Sequence, residues 1–473
     1  MTSNHQIEVT KVLVHQEKIN NNIFRAYDIR GIYPSDFNEV AAYKIGTALA
    51  HKIKANPNAV VGMDGRLSNL AIKKSFINGL MDNGIEVTDC GMLPTPMLYF
   101  ATKHLNIKNG FMITGSHNPK DYNGIKMVID NNPLFDEEIY SLRDYIEQNR
   151  IDYKINNHEP IVYKNILSDY IDRTNKDIHI DIDKTFVVDC MNGVTGNVIK
   201  DILGAHGVNA NFINDKVDGN FPNCSPDPTK EVNLKSLKEK VQLSGADYGV
   251  AFDGDGDRLV VIRDDGSVIW PDELMILFSN SILSKKDKGK IVFDVKCTRN
   301  LKHSIEKLKG VAIESRTGHS YIKQKIKDEE ADLGGELSGH IFFNDKWYGF
   351  DDGIYVFLRF AEILSNESNL IEDLSRLPKT FPTPEIDIEF PDNNHFKFIT
   401  EFKKNISLDN YTHSYLDGIK ISNSESWGLV RASNTSPKIT LRFESLSYLG
   451  LKNIQNDIKN AILEIDSTLD LPF

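Results

Sequence analysis

The chain has 473 residues, of which 40% are hydrophobic and 26% charged, which fits a folded globular protein with several cores and excludes a disordered or fibrous one. Its 55 Lys and Arg stand against 67 Asp and Glu, a formal net charge of −12 that repels polyanions at long range, so nucleic-acid binding is disfavoured while a small phosphorylated ligand is not. The four cysteines, Cys90, Cys190, Cys224 and Cys297, are widely spaced with no Cys-x-x-Cys pair, which argues against a disulfide framework or a zinc knuckle and for a reducing compartment.

Residues 1–22 are polar and lack an apolar signal-like run. Nowhere do about 18 apolar residues follow one another, so no membrane segment is expected, and the expected compartment is the cytoplasm. Short β-branched runs that end in polar or glycine-rich turns then alternate with helical patterns, the pattern of parallel α/β units. Strands are predicted at residues 59–63, 110–113, 185–188, 248–252 and 290–295. Pro271 suits a first helical turn, and Leu274, Leu277, Phe278 and Ile282 fall on one face of a helix predicted at 272–283. The lysine cluster at 285–290 reads as a solvated loop. Pro378, Pro382, Pro384 and Pro391 make 377–391 a linker. Beyond it, strands at 386–390 and 438–443 and a helix at about 450–464 predict a separate α+β domain. Two further boundaries fall near 163 and 266, where one strand-helix series ends and the next begins.

Polar clusters just after strands are the first candidates for a site, because ligands in open α/β sheets bind beyond the carboxyl ends of the strands. The first is Thr114-Gly115-Ser116-His117-Asn118-Pro119, with Lys126 downstream. A serine in such a turn is exposed and held by local hydrogen bonds. It is either a plain Ser/Asn/Pro turn or a nucleophile and phosphate carrier assisted by His117 and Lys126. The second is Asp253-Gly254-Asp255-Gly256-Asp257-Arg258. Alternating Asp and Gly aim three carboxylates at one spot, which is costly unless a cation sits there. An EF-hand would need Gly at its sixth position and Glu at its twelfth; Arg258 and Asp264 stand there instead. Mg²⁺ facing a phosphate fits better, against the bland alternative of a solvated acidic turn.

The third cluster is Gly334-Gly335-Glu336-Leu337-Ser338-Gly339-His340, with Arg316-Thr317-Gly318-His319 upstream. Its mix of acceptors, donors and a switchable imidazole suits sugar hydroxyls, or is an incidental polar turn. The fourth is Arg431-Ala432-Ser433-Asn434-Thr435-Ser436-Pro437, with Arg442 beyond it. Hydroxyls, backbone N–H groups and a guanidinium fork can cradle a phosphate; an ordinary capped turn is the alternative. A fifth cluster, Arg25-Ala26-Tyr27-Asp28-Ile29-Arg30-Gly31, adds two guanidiniums.

In their order along the chain these clusters resemble the α-D-phosphohexomutases, in particular the bacterial phosphomannomutase/phosphoglucomutase branch, over nearly the whole length. The resemblance implies four domains around a central cleft, three related mixed-sheet α/β domains followed by a C-terminal α+β domain. These are expected at 1–163 with the phosphoserine loop, 164–266 with the metal loop, 267–378 with the sugar loop and 379–473 with the phosphate loop. It further implies a phosphohexomutase that exchanges the 1- and 6-phosphates of mannose or glucose through phosphorylated Ser116 and a hexose 1,6-bisphosphate, which is both intermediate and activator. Mg²⁺ is then expected on Asp253, Asp255, Asp257 and Ser116. His117, Lys126, Arg30 and Arg258 are expected at the transfer site, shaped also by Tyr27. Lys296, His319, Glu336, Ser338 and His340 are expected to hold the sugar, and Arg431, Ser433, Asn434, Thr435 and Arg442 the distal phosphate. The implied partners are small hexose phosphates, with no nucleic acid and no membrane, and a monomer is expected. The linker before the fourth domain implies that this domain moves.

Gly115 and the Ser433-Asn434-Thr435 run favour the mannose/glucose branch over the phosphoglucosamine mutases, which typically carry Ala at the former position and Gly-Thr-Glu at the latter. Two details depart from the family pattern. Asn223-Cys224-Ser225-Pro226 replaces a more histidine-rich stretch, and Ser436 stands where Thr or Glu is usual. A metal-dependent phosphatase or serine hydrolase using Ser116 is the competing enzyme class, but no Gly-x-Ser-x-Gly elbow surrounds the serine. A non-catalytic sugar-phosphate binder would not need Ser116 and all three aspartates. No Walker A or Gly-x-Gly-x-x-Gly segment supports a kinase or dehydrogenase.

Overall fold

The computed structural model describes residues 18–154, 156, 158, 162–367, 369–390, 394–433 and 437–473. These divide into two compact units. One runs up to Pro271 and adds Ser338–Asn366; the other comprises Asp272–Leu337 and Glu367–Phe473.

The first unit contains two sheets. In the first, β1 (Ile29–Ile32), β2 (Asn58–Met63), β3 (Glu86–Met92), β4 (Gly110–Ile113), β5 (Tyr122–Ile129), β6 (Asn132–Pro133) and β7 (Val162–Tyr163) run in the order β1-β5-β4-β2-β3-β7, with β6 on β5. The β4-β2-β3-β7 part is parallel, whereas β5 is antiparallel to both β1 and β4. Every residue of β4 is buried, as expected of a parallel strand covered on both faces. Helix Glu39–Lys52 begins where the Asn38 side chain accepts the Ala41 N–H, with Glu39 in its first turn and His51 and Lys52 in its last, so both caps and charges suit the helix dipole.

In the second sheet, β8 (Thr185–Asp189), β9 (Asn209–Ile213), β10 (Tyr248–Phe252), β11 (Leu259–Arg263) and β12 (Val268–Ile269) run in the order β12-β11-β10-β8-β9. β10 is parallel to β8 and antiparallel to β11, so the β10–β11 turn carries the Asp-Gly-Asp-Gly-Asp segment.

In the second unit, β13 (Lys290–Asp294) lies parallel between β14 (Val311–Ser315) and β15 (Leu333–Gly335). β16 (Ile341–Phe343) belongs to the first unit. The predicted helix runs Pro271–Leu283 and buries Met275 and Ile276 as well as the expected Leu274, Leu277, Phe278 and Ile282. It is therefore enclosed on most of its circumference rather than along one stripe.

The C-terminal sheet is antiparallel throughout, with β17 (Phe381–Pro382), β18 (Ile386–Glu389), β19 (Thr412–Ser414), β20 (Ile419–Ser422), β21 (Ser426–Ala432) and β22 (Lys438–Ser445). β17 and β18 both pair with β22, so the proline-rich linker is not structureless. Its prolines confine it to short edge pieces. Helix Tyr448–Ile465 starts where Ser447 Oγ accepts the Gly450 N–H, and it buries Ile454, Ile458 and Ile462 in the domain's core. Val295, Trp427 and Leu429 form a small apolar cluster, and the buried Glu444 accepts from Thr298 Oγ1 at 2.6 Å, Arg299 N at 2.8 Å and Trp427 Nε1 at 2.6 Å.

Candidate active site

Two clusters of predicted residues assemble, one in each unit. In the first unit, the turn after β4 closes with Asn118 N–H on Gly115 O at 3.0 Å and holds Ser116 at φ 49°, a left-handed conformation uncommon outside glycine. Ser116 N–H donates to Thr114 Oγ1 at 2.8 Å. The Ser116 hydroxyl donates to Asp253 Oδ2 at 3.0 Å and lies 3.3 Å from His117 Nδ1. A Cβ on Gly254 would come within 2.5 Å of Ser116 O, so only glycine lets the two loops meet this closely.

Asp253 Oδ1 accepts three backbone N–H groups of its own loop, from Gly256 at 3.0 Å, Asp257 at 3.1 Å and Arg258 at 3.2 Å. These bonds leave its other oxygen facing Ser116. Lys126, on β5, donates to Asp255 Oδ2 at 2.8 Å and to Asp257 Oδ2, and Thr95 Oγ1 donates to Asp255 Oδ2 at 2.5 Å. Burial pushes the Asp253 carboxyl well above the ordinary range, as do Asp255 and Asp257 beside it. Burial and Asp255 likewise push Asp257 up. Burial raises Asp255 too, but Lys126 outweighs it and holds that carboxyl far below the usual range. Three buried carboxylates therefore cannot all ionise against one ammonium.

Asp255 Oδ1 and Asp257 Oδ1 are buried with no hydrogen-bond partner among the described residues, and one oxygen from each of the three aspartates lies within 4.8 Å of the others. This oxygen set fits a hard divalent cation such as Mg²⁺.

Around this cluster the Arg30 guanidinium, on β1, bonds Asp28 Oδ2 at 2.5 Å and Thr114 O at 3.1 Å. Arg258 Nε lies 3.9 Å from Asp253 Oδ2 and donates to His340 Nε2 at 3.0 Å. Burial, then Arg258 and Arg30, hold His117 well below the usual histidine range, so its imidazole is neutral at pH 7. Burial lowers Lys126, but Asp255 and Asp257 overcome it and keep the ammonium charged. Tyr27 is half-buried in the turn before β1.

The Gly-Glu-Leu-Ser-Gly-His run divides between the units at Leu337 and Ser338. Glu336, buried at the end of β15, accepts Gly318 N–H at 2.6 Å, just ahead of His319 at the start of helix His319–Glu329. His340 lies in the first unit, its Nδ1 3.0 Å from Asp351 Oδ2 and 3.5 Å from Asp257 Oδ1. Arg258 donating to Nε2 places the ring proton on Nδ1, toward Asp351. Ser338 is half-buried in the first unit.

In the second unit, the cations Lys296, Arg431 and Arg442 each pair with a carboxylate. Lys296 Nζ lies 3.1 Å from Glu385 Oε1, Arg431 Nε 3.0 Å from Asp417 Oδ2, and Arg442 Nη2 3.5 Å from Asp272 Oδ2. Asp417 Oδ2 also accepts Thr317 N–H at 3.0 Å. Arg431 sits on β21 rather than in the turn, and Ser433 follows, buried, with its N–H on Lys438 O. Asn434 and Thr435 lie outside the described residues.

Sequence reasoning missed Asp64 and Arg66. The buried Arg66 guanidinium donates to four carbonyls of the serine loop, Ser116 O at 2.8 Å, Asn118 O at 2.6 Å, Pro119 O at 2.6 Å and Tyr122 O at 2.9 Å. Asp64 Oδ2 accepts Thr114 Oγ1 at 2.6 Å and Gly115 N at 3.2 Å, and lies 3.3 Å from Arg66 Nε. The pair directly follows β2, where a search for polar residues beyond strand ends could have found it.

Models of four domains of one family match nearly the whole chain. They are phosphoglucomutase/phosphomannomutase alpha/beta/alpha domain I at residues 21–151, domain II at 168–266, domain III at 270–381 and the C-terminal domain at 390–461. A phosphomannomutase/phosphoglucomutase of Pseudomonas aeruginosa is 42% identical over 455 residues, 96% of this chain and 98% of that protein. A phosphoglucomutase of Neisseria gonorrhoeae is 39% identical over 458 residues, 96% of this chain and 99% of that protein. A crystal structure of a phosphoglucomutase/phosphomannomutase family protein from Burkholderia thailandensis matches with a TM-score of 0.89 and 36% identity, covering 96% of this chain and all of that one.

Proposed function

The chain belongs to the phosphoglucomutase/phosphomannomutase family, and we propose that it interconverts hexose 1-phosphates and hexose 6-phosphates of mannose or glucose through phosphorylated Ser116 and a hexose 1,6-bisphosphate. The observation that carries this reading is the 3.0 Å approach of the Ser116 hydroxyl to Asp253 within a buried cluster of three carboxylates.

In this reading Ser116 Oγ gives its phosphoryl group to a sugar hydroxyl and takes the other phosphate back from the bisphosphate, so the two phosphates exchange. Asp253, Asp255 and Asp257, with an oxygen of the phosphorylated Ser116, would hold Mg²⁺. Bound Mg²⁺ supplies positive charge against the charge that spreads over the transferring phosphoryl group. Lys126 stays protonated between Asp255 and Asp257 and fixes the two carboxylates in place. The neutral His117 imidazole, 3.3 Å from Ser116 Oγ, is placed to take or return its proton. Arg30 and Arg258 add positive charge beside the loop. His340, fixed between Arg258 and Asp351, is assigned to this transfer end rather than to the sugar grip.

The remaining residues supply the grip. Lys296, His319, Glu336 and Ser338 are assigned to the sugar, and Arg431, Ser433, Asn434, Thr435 and Arg442 to the phosphate that does not react. Binding energy from that remote phosphate orients the reacting end. Because the bisphosphate must present either phosphate to Ser116, the grip has to accept both orientations. Such tolerance implies weak discrimination between the C2 epimers mannose and glucose.

The test incubates mannose 1-phosphate and glucose 1-phosphate in turn with enzyme, Mg²⁺ and a trace of hexose 1,6-bisphosphate, followed by ³¹P NMR. The reading expects the corresponding 6-phosphate from each sugar. Inorganic phosphate released in step with substrate loss would instead make the protein a phosphatase.

A further inference from the structure

The two guanidiniums assigned to the distal phosphate, Arg431 and Arg442, and Lys296 beside Arg431 meet a carboxylate that the catalytic scheme does not use. Glu385 lies in the proline-flanked segment between β17 and β18. The β18–β22 ladder pairs Ile386 with Leu441 and Asp387 with Thr440, so one step further places Glu385 opposite Arg442. Its Oε1 lies 3.1 Å from the buried Lys296 Nζ, while its own side chain is 37% exposed. Burial works against its charge, yet Lys296, Arg442 and Arg431 together hold its carboxyl below the ordinary glutamate range. Arg442 Nε and Nη1 are buried with no hydrogen-bond partner among the described residues, so this fork still has donors to give.

A partly exposed carboxylate among buried cations is not needed to neutralise them, because Asp294, Asp417 and Asp272 already lie beside Lys296, Arg431 and Arg442. It does have the charge sign and acceptor geometry of one edge of a phosphate group.

We propose that Glu385 is a tethered competitor that occupies Lys296 in the unliganded protein and must yield it to the phosphate of the sugar. This inference rests on the reading above that Arg431 and Arg442 receive the distal phosphate, and it extends that grip to Lys296, assigned above to the sugar. A phosphate dianion outcompetes one carboxylate, because it brings more charge and more acceptor oxygens to the same donors. A neutral sugar cannot displace Glu385 at all. The residue thus raises the threshold for entry and makes it depend on the ligand's phosphate. The position also suits release: Glu385 sits outside the ladder-paired residues of β17 and β18, so its backbone can move without breaking a paired strand.

The experiment measures binding of inorganic phosphate and of unphosphorylated mannose to the whole protein by calorimetry, comparing the wild type with Glu385→Gln and Glu385→Ala. Removing the carboxylate breaks one partly exposed ion pair, so both variants should bind phosphate about two- to fivefold more tightly. Mannose affinity should not change. Phosphate affinity that is unchanged or weaker in both variants would overturn the proposal, since Glu385 would then be a bystander or a ligand contact. This outcome is separable from failure of the functional reading, because phosphate binding needs no turnover and the NMR conversion assay on the wild type reports that reading alone.

Discussion

The sharpest mechanical prediction concerns Arg66. Its guanidinium bonds four carbonyls between Ser116 and Tyr122 and pairs with Asp64, both side chains being essentially inaccessible to solvent. Replacing Arg66 by Ala strands Asp64 and four carbonyls in the interior, and breaking such a buried pair costs about 3–5 kcal/mol. Arg66→Lys keeps the charge, but one ammonium lacks the planar fork and cannot reach all four acceptors. With about half the bonds lost, and each bond to a charged donor worth about 1.5–3 kcal/mol, the loop should open more easily by about 3 kcal/mol, since these terms do not add fully.

Native-state hydrogen exchange of the amides at 116–122 should then quicken roughly a hundredfold in Arg66→Lys. Single-turnover transfer from hexose 1,6-bisphosphate should slow by about the same factor, because the nucleophile is no longer held within reach of its target, while the KM for hexose phosphate changes little. The coupling can be tested separately. A Cβ at residue 115 would lie 2.3 Å from Arg66 Cζ and 2.7 Å from the Tyr122 carbonyl oxygen, so Gly115→Ala should be harmful in the wild type and partly relieved in Arg66→Ala. Exchange and transfer rates within twofold of wild type in Arg66→Lys, or additive effects in that cycle, would refute the argument.

Two other outcomes are expected. Asp255→Asn removes the one carboxylate of the cluster held strongly ionised, so Mg²⁺ affinity should fall and transfer slow by several orders of magnitude; a Mg²⁺ titration of the rate checks this, and a rate independent of Mg²⁺ would contradict it. Burial lowers the buried His206 from the usual 6.5 to about 4, so the unfolded chain takes up this proton first and stability falls as pH drops through that window. Urea unfolding at pH 7 and pH 5 should show wild type losing about 1 kcal/mol more than His206→Gln, once screening is discounted.

The alternation of strands and helices was legible because strands buried along all or nearly all of their length, such as β4 and β10, are short apolar runs bounded by turns. The carboxylate loop was legible because all its ligands lie within five consecutive residues. Arg66 was less so, since the four carbonyls it bonds stand 50–56 residues away and only its place just after β2 marks it. Lys126 read only as lying downstream of the Ser116 turn, and it lies inside β5, a strand buried along most of its length and therefore without the alternation that betrays a half-exposed strand. His340 follows Glu336 closely in sequence but belongs to the other unit, which resumes at Ser338. The proline-rich segment read as a linker, and prolines do forbid a central strand. They leave room for two short edge pieces that present Glu385 to Lys296.

The central claim is that Ser116 carries the phosphoryl group. Brief incubation with hexose 1,6-bisphosphate labelled with ³²P, followed by quenching, proteolysis and mass spectrometry of the peptide containing residue 116, tests it most directly. The account predicts label on Ser116 that transfers to added hexose 1-phosphate or 6-phosphate and is absent from Ser116→Ala. Label that goes straight to inorganic phosphate, or sustained mutase turnover in Ser116→Ala, would contradict it.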